Sequence, residues 1–206
     1  MYINKVVNIK NMEIIAHRIN TVEALKKLPK DVGFEVDLRG CSTPDKVYCQ
    51  HEPYSVGESF EKLLNVYANQ QRKGTIILDI KDERIEKYCQ YLLKLYGVKN
   101  YFFLDCSFPM IYSLTSNGEP NVAIRYSQYE GVETAVRMAE KAKWIWVDTF
   151  TTNPLDKNTY ELLKKLNYKI CFVSPELQGQ PEKKEKYLKE LEEEGITLDA
   201  ICTDVE

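Results

Sequence analysis

The sequence predicts one α/β domain over residues 1–206, a compact TIM-type (β/α)8 barrel, and three observations carry that prediction. Eight short apolar runs alternate with amphipathic stretches along the 206 residues. Most of the runs are continuously apolar, as parallel strands buried on both faces are. Charged side chains collect at the C-terminal ends of the early runs, where such barrels carry their chemistry.

The run MEIIAH (12–17) is the first expected strand. A helix follows to about Leu28, with Asn20 and Glu23 spaced as a capping pair. VGFEVDL (32–38) is the second, and KVYCQH (46–51) forms a small extra strand. Ser55 and Glu58 mark a helix start, after which Phe60, Leu63, Leu64 and Tyr67 follow the helical spacing. TIILDI (75–80) is a strand, then a helix carries Ile85, Tyr88, Cys89, Leu92 and Tyr96 up to Gly97. YFFLDCS (101–107), VAIRYS (122–127), WIWVDT (144–149), YKICFVS (168–174) and LDAICTD (198–204) complete the strands. Helices over 109–117, around Val132–Ala139, 157–166 and 182–194 separate them. The chain stops after the eighth strand, so the last helix of the barrel is expected to be missing, with the first eleven residues covering that gap or the floor. An open doubly wound sheet shares the alternation, but His17-Arg18-Ile19-Asn20 stands where a dinucleotide fold carries glycines.

A net charge of −3, with both signs interspersed, excludes the broad basic face of a nucleic-acid binder. No run reaches the roughly 18 apolar residues of a membrane span, and the N-terminus lacks a signal-peptide core. The six cysteines form no CxxC pair and several fall in apolar runs, which predicts free buried thiols in a cytoplasmic protein. Oligomeric state is not legible.

Glu35 and Asp37 lie two apart on one strand, so both side chains leave it on the same face. Two carboxylates there repel each other and pay desolvation unless a cation lies between them. Oxygen ligands of this kind suit Mg²⁺ or Ca²⁺. Asp79 and Lys81 repeat the spacing, offering a third oxygen ligand and a point charge for phosphate. The only two histidines, His17 and His51, fall at strand ends beside this cluster. A pair of imidazoles can divide general base and general acid work, which with a cation suits phosphodiester cleavage. Plainer readings stay open: an ion network of Arg18 and Arg39 with the two acids, and a simple Asp79–Lys81 salt bridge. Arg125, Asp148 and Asp204 are read as structural, and Trp144 and Trp146 as core.

The order His17-Arg18, Glu35-x-Asp37, His51, Asp79-x-Lys81 resembles the glycerophosphodiester phosphodiesterases, within the phospholipase-C-like phosphodiesterases. CSF at 106–108 and DAICTD at 199–204 look like later strand endings of that family. The resemblance implies His17 and His51 as the catalytic acid/base pair. It implies one divalent cation, Mg²⁺ or Ca²⁺, on Glu35, Asp37 and Asp79. It implies Arg18 and Lys81 as phosphate ligands for a small phosphodiester substrate, split into an alcohol and a phosphomonoester. Ile19 replaces the family's glycine, Glu52-Pro53 follows the second histidine in place of an aspartate, and Asp79 stands where glutamate is usual. The insertion that caps the glycerol-phosphate pocket in many members is absent. Two other functions compete: a barrel that binds a phosphate ester without turnover, and a lyase or isomerase acting on a sugar phosphate.

Overall fold

The computed structural model describes residues 12–43 and 46–205, so the expectation for the first eleven residues lies outside the described part. Contacts divide the chain into two compact units, 15–114 and 115–206 together with the N-terminal residues up to 14.

The unit of 15–114 begins in β1 (Glu13–Ala16), then α1 (Val22–Lys27), β2 (Gly33–Gly40), β3 (Val47–Cys49), β4 (Glu58–Ser59), α2 (Phe60–Asn69), β5 (Ile76–Ile80), α3 (Glu86–Leu95), β6 (Tyr101–Leu104) and α4 (Phe108–Ser116). β1, β2, β5 and β6 pair in parallel. β3 runs antiparallel to the far end of β2, and β4 antiparallel to β3. Thus 46–51 contains the extra strand expected, while β4 falls where the sequence suggested a helix start. Glu58 does not cap α2: its carboxylate accepts from the Val22 N–H at 3.1 Å, and Ser59 precedes the helix. Nor is Asn20 a cap. Thr21 is, its Oγ1 accepting from the Ala24 N–H at 3.1 Å, because the Asn20 amide is engaged elsewhere.

Core packing follows the apolar runs. Phe34, Val36 and Leu38 of β2, Ile76–Leu78 of β5 and Phe102–Phe103 of β6 are fully buried, as are Phe60, Leu63 and Leu64 of α2. The C-terminal end of α1 is held by Arg72, which is 6% exposed. Its guanidinium donates to the carbonyls of Leu25, Leu28 and Pro29 at 2.5, 2.6 and 2.9 Å. The Leu25 carbonyl also accepts from the Leu28 N–H at 3.3 Å and the Pro29 carbonyl from the Val32 N–H at 3.2 Å, so the guanidinium gathers the turn that closes α1. Arg72→Ala removes these charge-assisted bonds, so we expect a loss of about 2–4 kcal/mol. A fall in the urea midpoint checks this, and an unchanged midpoint refutes it.

The other unit carries β7 (Ala123–Tyr126), α5 (Glu133–Arg137), β8 (Trp144–Val147), α6 (Lys157–Lys165), β9 (Lys169–Val173), α7 (Lys184–Glu193) and β10 (Ala200–Thr203). β7 to β10 pair in parallel in chain order, and the Glu13 N–H donates to the Asp199 carbonyl at 3.0 Å. Two 3-10 turns, Pro175–Gln178 and Pro181–Lys183, precede α7. Strand-end polar groups here satisfy one another. Asp148, 1% exposed, accepts from Arg125 (3.0 and 2.8 Å), Trp146 Nε1 (3.0 Å) and Gln178 Nε2 (2.8 Å). Burial nevertheless pushes its carboxyl up to about 6. Trp144 and Trp146 are buried, as expected of core, and Asp204 is exposed. All six cysteines are free thiols; five are buried and Cys41 is exposed.

Candidate metal and phosphate site

Every sequence-predicted site residue lies in the unit of 15–114. Asp37 and Asp79 are register partners in β2 and β5, so parallel pairing sets them side by side on one face. Glu35, two residues back along β2, shares that face. The three carboxylates are 2%, 2% and 8% exposed for Glu35, Asp37 and Asp79, and each offers an oxygen within 4.8 Å of the others.

Each carboxylate has one oxygen anchored by the protein. Glu35 Oε2 accepts from the Arg18 backbone N–H at 2.6 Å. Asp37 Oδ2 accepts from Asn20 Nδ2 at 2.7 Å, while the Asp37 N–H donates back to Asn20 Oδ1 at 2.9 Å. Asp79 Oδ2 accepts from Lys81 Nζ at 2.6 Å. Two of the opposite oxygens, Glu35 Oε1 and Asp79 Oδ1, are buried without a hydrogen-bond partner, whereas Asp37 Oδ1 has Lys81 Nζ at 3.4 Å. Orphaned buried carboxylate oxygens are costly; two of them, in a trio of carboxylates that each offer an oxygen within 4.8 Å of the others, match the hard-oxygen donor set of a divalent cation. The residues present fit such an ion.

Electrostatics agree with that reading. Burial, then the neighbouring Asp37 and Asp79 carboxylates, raises the Glu35 carboxyl well above the usual range. Burial, then Asp105, pushes Asp79 up to about 7 against the pull of Lys81. Burial opposes the Lys81 charge, but Asp79, Asp37 and Asp105 outweigh it and raise its pKa. Lys81 therefore stays an ammonium, with Asp105 Oδ2 at 3.7 Å as a further neighbour.

His17 follows β1, its Nε2 3.9 Å from Glu35 Oε2. Arg18 adopts φ +55, which turns its N–H onto Glu35 and brings its Nε 3.7 Å from Asp37 Oδ2. The left-handed residue is thus Arg18, and Ile19 has no positive φ that would demand glycine; its side chain is buried. His51 lies two residues past β3, where the Gln50 N–H donates to the Asp37 carbonyl at 2.8 Å. Its ring Nδ1 is 2.8 Å from Glu52 Oε1, and its contact is with that carboxylate rather than with the acidic trio. Of the two ion-pair alternatives, Asp79–Lys81 exists at 2.6 Å; the network of Arg18 and Arg39 with the two acids holds in its Arg18–Asp37 half at 3.7 Å, whereas Arg39 pairs with Asp82 at 2.7 Å. Sequence reasoning missed Asn20, which it treated as a helix cap, and Asp105. A side chain that hydrogen-bonds across 17 residues leaves no periodic signal.

No family model matches the chain, and no curated protein matches it. Solved structures do. An Oleispira antarctica phosphodiesterase in complex with the product sn-glycerol-3-phosphate aligns with TM-score 0.65 at 15% identity, over 94% of this chain and 93% of that one. An Agrobacterium tumefaciens glycerophosphodiester phosphodiesterase aligns with TM-score 0.61 at 13% identity, over 93% and 96%. A Galdieria sulphuraria protein assigned to the same activity gives 0.65 at 16%, over 97% and 95%. The expected fold class is therefore the observed one: the chain has the (β/α)8-barrel fold of the glycerophosphodiester phosphodiesterases.

Proposed function

We propose that the protein is a phosphoric diester hydrolase of the glycerophosphodiester phosphodiesterase family, dependent on one divalent cation, Mg²⁺ or Ca²⁺. The observation that carries this reading is the buried trio Glu35, Asp37 and Asp79, each with one oxygen anchored and each offering an oxygen within 4.8 Å of the others. Glu35, Asp37 and Asp79 would hold the cation, which supplies positive charge against the phosphoryl oxygens. Lys81 and Arg18 would bind the remaining phosphate oxygens, Lys81 as a point charge and Arg18 with its half-exposed guanidinium. His17 and His51 would serve as base and acid. One accepts the proton of the attacking hydroxyl, from water or from a neighbouring hydroxyl of the substrate, and the other protonates the leaving alcohol oxygen. The Glu52 carboxylate on His51 Nδ1 favours the tautomer that leaves Nε2 available for proton exchange. The free thiols suit a cytoplasmic location. Among the described residues no helix is long and apolar enough to cross a membrane.

Hydrolysis of bis(p-nitrophenyl) phosphate tests the reading. The purified protein is expected to release p-nitrophenol with Mg²⁺, Ca²⁺ or Mn²⁺ and to stop on chelation. No release across a broad diester panel, with saturable phosphate-ester binding by calorimetry, would reassign it as a binding barrel. Solvent deuterium entering a sugar phosphate would reassign it as a lyase or isomerase.

A further inference from the structure

We infer that Arg39 is the positioning residue for His51, an inference that rests on the proposed role of that histidine. Arg39 lies on β2 two residues beyond Asp37, opposite Tyr48 in the antiparallel pairing with β3. Its Nε and Nη2 both donate to the backbone carbonyl of His51, at 3.0 and 2.8 Å. Its Nη1 donates to Asp82 Oδ1 at 2.7 Å and reaches the Lys81 carbonyl at 3.5 Å. The other Asp82 oxygen accepts from the Gly40 N–H at 3.1 Å, so the fork is itself held in place. One guanidinium, 18% exposed, thus ties the segment after β3 to the segment after β5. The first carries His51 and the second begins at Lys81.

His51 needs such a tie. β3 has three residues and β4 two, and Glu52–Val56 beyond the histidine are exposed. Little apolar burial fixes this stretch. The ladders of β3 with β2 and β4 set the register only up to Cys49; beyond it stand the Gln50–Asp37 backbone bond, the bond from Ser55 Oγ to the Glu52 carbonyl at 3.1 Å and Gly57, where a Cβ would come within 1.9 Å of the Cys49 carbonyl oxygen. A planar fork with two donors on one carbonyl sets both position and direction, which a single ammonium cannot do. If the role were only the Arg39–Asp82 ion pair, lysine would substitute for it. If the role is to place His51, lysine will not.

Arg39→Lys is therefore expected to lower kcat by about 10–100-fold, the cost of displacing a reacting group by about 1 Å, with KM and cation affinity within about twofold. The chain has only two histidines, so spectra of ¹⁵N-histidine-labelled protein contain two imidazoles, assigned with His17→Gln. In Arg39→Lys the His51 ring signals should shift or broaden while those of His17 stay in place. Asp82→Asn, which leaves the fork without its counter-charge, should do the same to a smaller degree, and serves if the lysine variant does not fold. Unchanged His51 signals in both variants would overturn the inference. So would equal disturbance of both rings with a large fall in Tm. The spectral readout does not depend on turnover, so a wild-type protein without diesterase activity defeats the functional proposal and leaves this one decided by the spectra.

Discussion

Glu35→Gln is expected to abolish diesterase activity while making the cation-free protein more stable. The Glu35 carboxyl is buried beside two others, with Oε1 orphaned, and its ionisation is opposed by burial first and by Asp37 and Asp79 next. Glutamine keeps an acceptor for the Arg18 N–H and removes one of three converging charges. In chelator at pH 8, Tm should rise by several degrees, the change that about 1–2 kcal/mol produces in a domain of this size. The wild type should gain about 2.7 kcal/mol from a cation at 100 times its Kd, and the variant far less.

The pH dependence has a definite sign. An acid whose folded pKa is raised binds more protons folded than unfolded between the two values, so its stabilising contribution is present at low pH and lost as pH climbs. For Asp79 that window runs from the ordinary carboxylate range up to about 7, and Glu35 adds in the same direction. Melts in chelator should therefore show the protein less stable at pH 8 than at pH 5. Saturating divalent cation should reverse that slope by taking the ionised carboxylates. A destabilised glutamine variant, or a cation response that survives the substitution, would remove the case for an ion among these three residues.

His17→Ala and His51→Ala should each reduce kcat by about 10²–10⁴-fold, the range for a positioned general acid or base. The double variant should be little worse than the weaker single one, because residues that act as a unit are not additive. Cation-induced stabilisation should survive in both, since neither ring belongs to the acidic trio. His17 approaches Glu35 at 3.9 Å, so its removal is expected to alter cation affinity more than removal of His51, whose ring contacts Glu52. Activity retained in either variant would show that the imidazole concerned takes no part in proton transfer.

Much of this was legible because strand chemistry is periodic. Apolar runs of strand length named the elements, and the two-residue spacing of Glu35 with Asp37 and of Asp79 with Lys81 placed each pair on one face. The register of β2 with β5 then brought Asp37 beside Asp79, as that spacing anticipated. The errors came where a polar side chain had several competing partners. Asn20 reads as a helix cap by local spacing, yet it spends both amide atoms on Asp37, and Thr21 caps instead. Glu58 reads as a helix starter and serves the first turn of a different helix. Arg39 had two acids at short range along its own strand and chose Asp82 and the His51 carbonyl, 43 and 12 residues away.

The sequence by itself determined the eight parallel strands, most of the helices between them and which strand faces the charges occupy, because those follow from local periodicity along the chain. Only the tertiary structure decided which oxygen of each carboxylate is anchored, which is left open, and what holds the second histidine. Those outcomes depend on hydrogen-bond partners distant in sequence, and a hydrogen bond is specified by angles and tenths of an ångström that no residue spacing encodes.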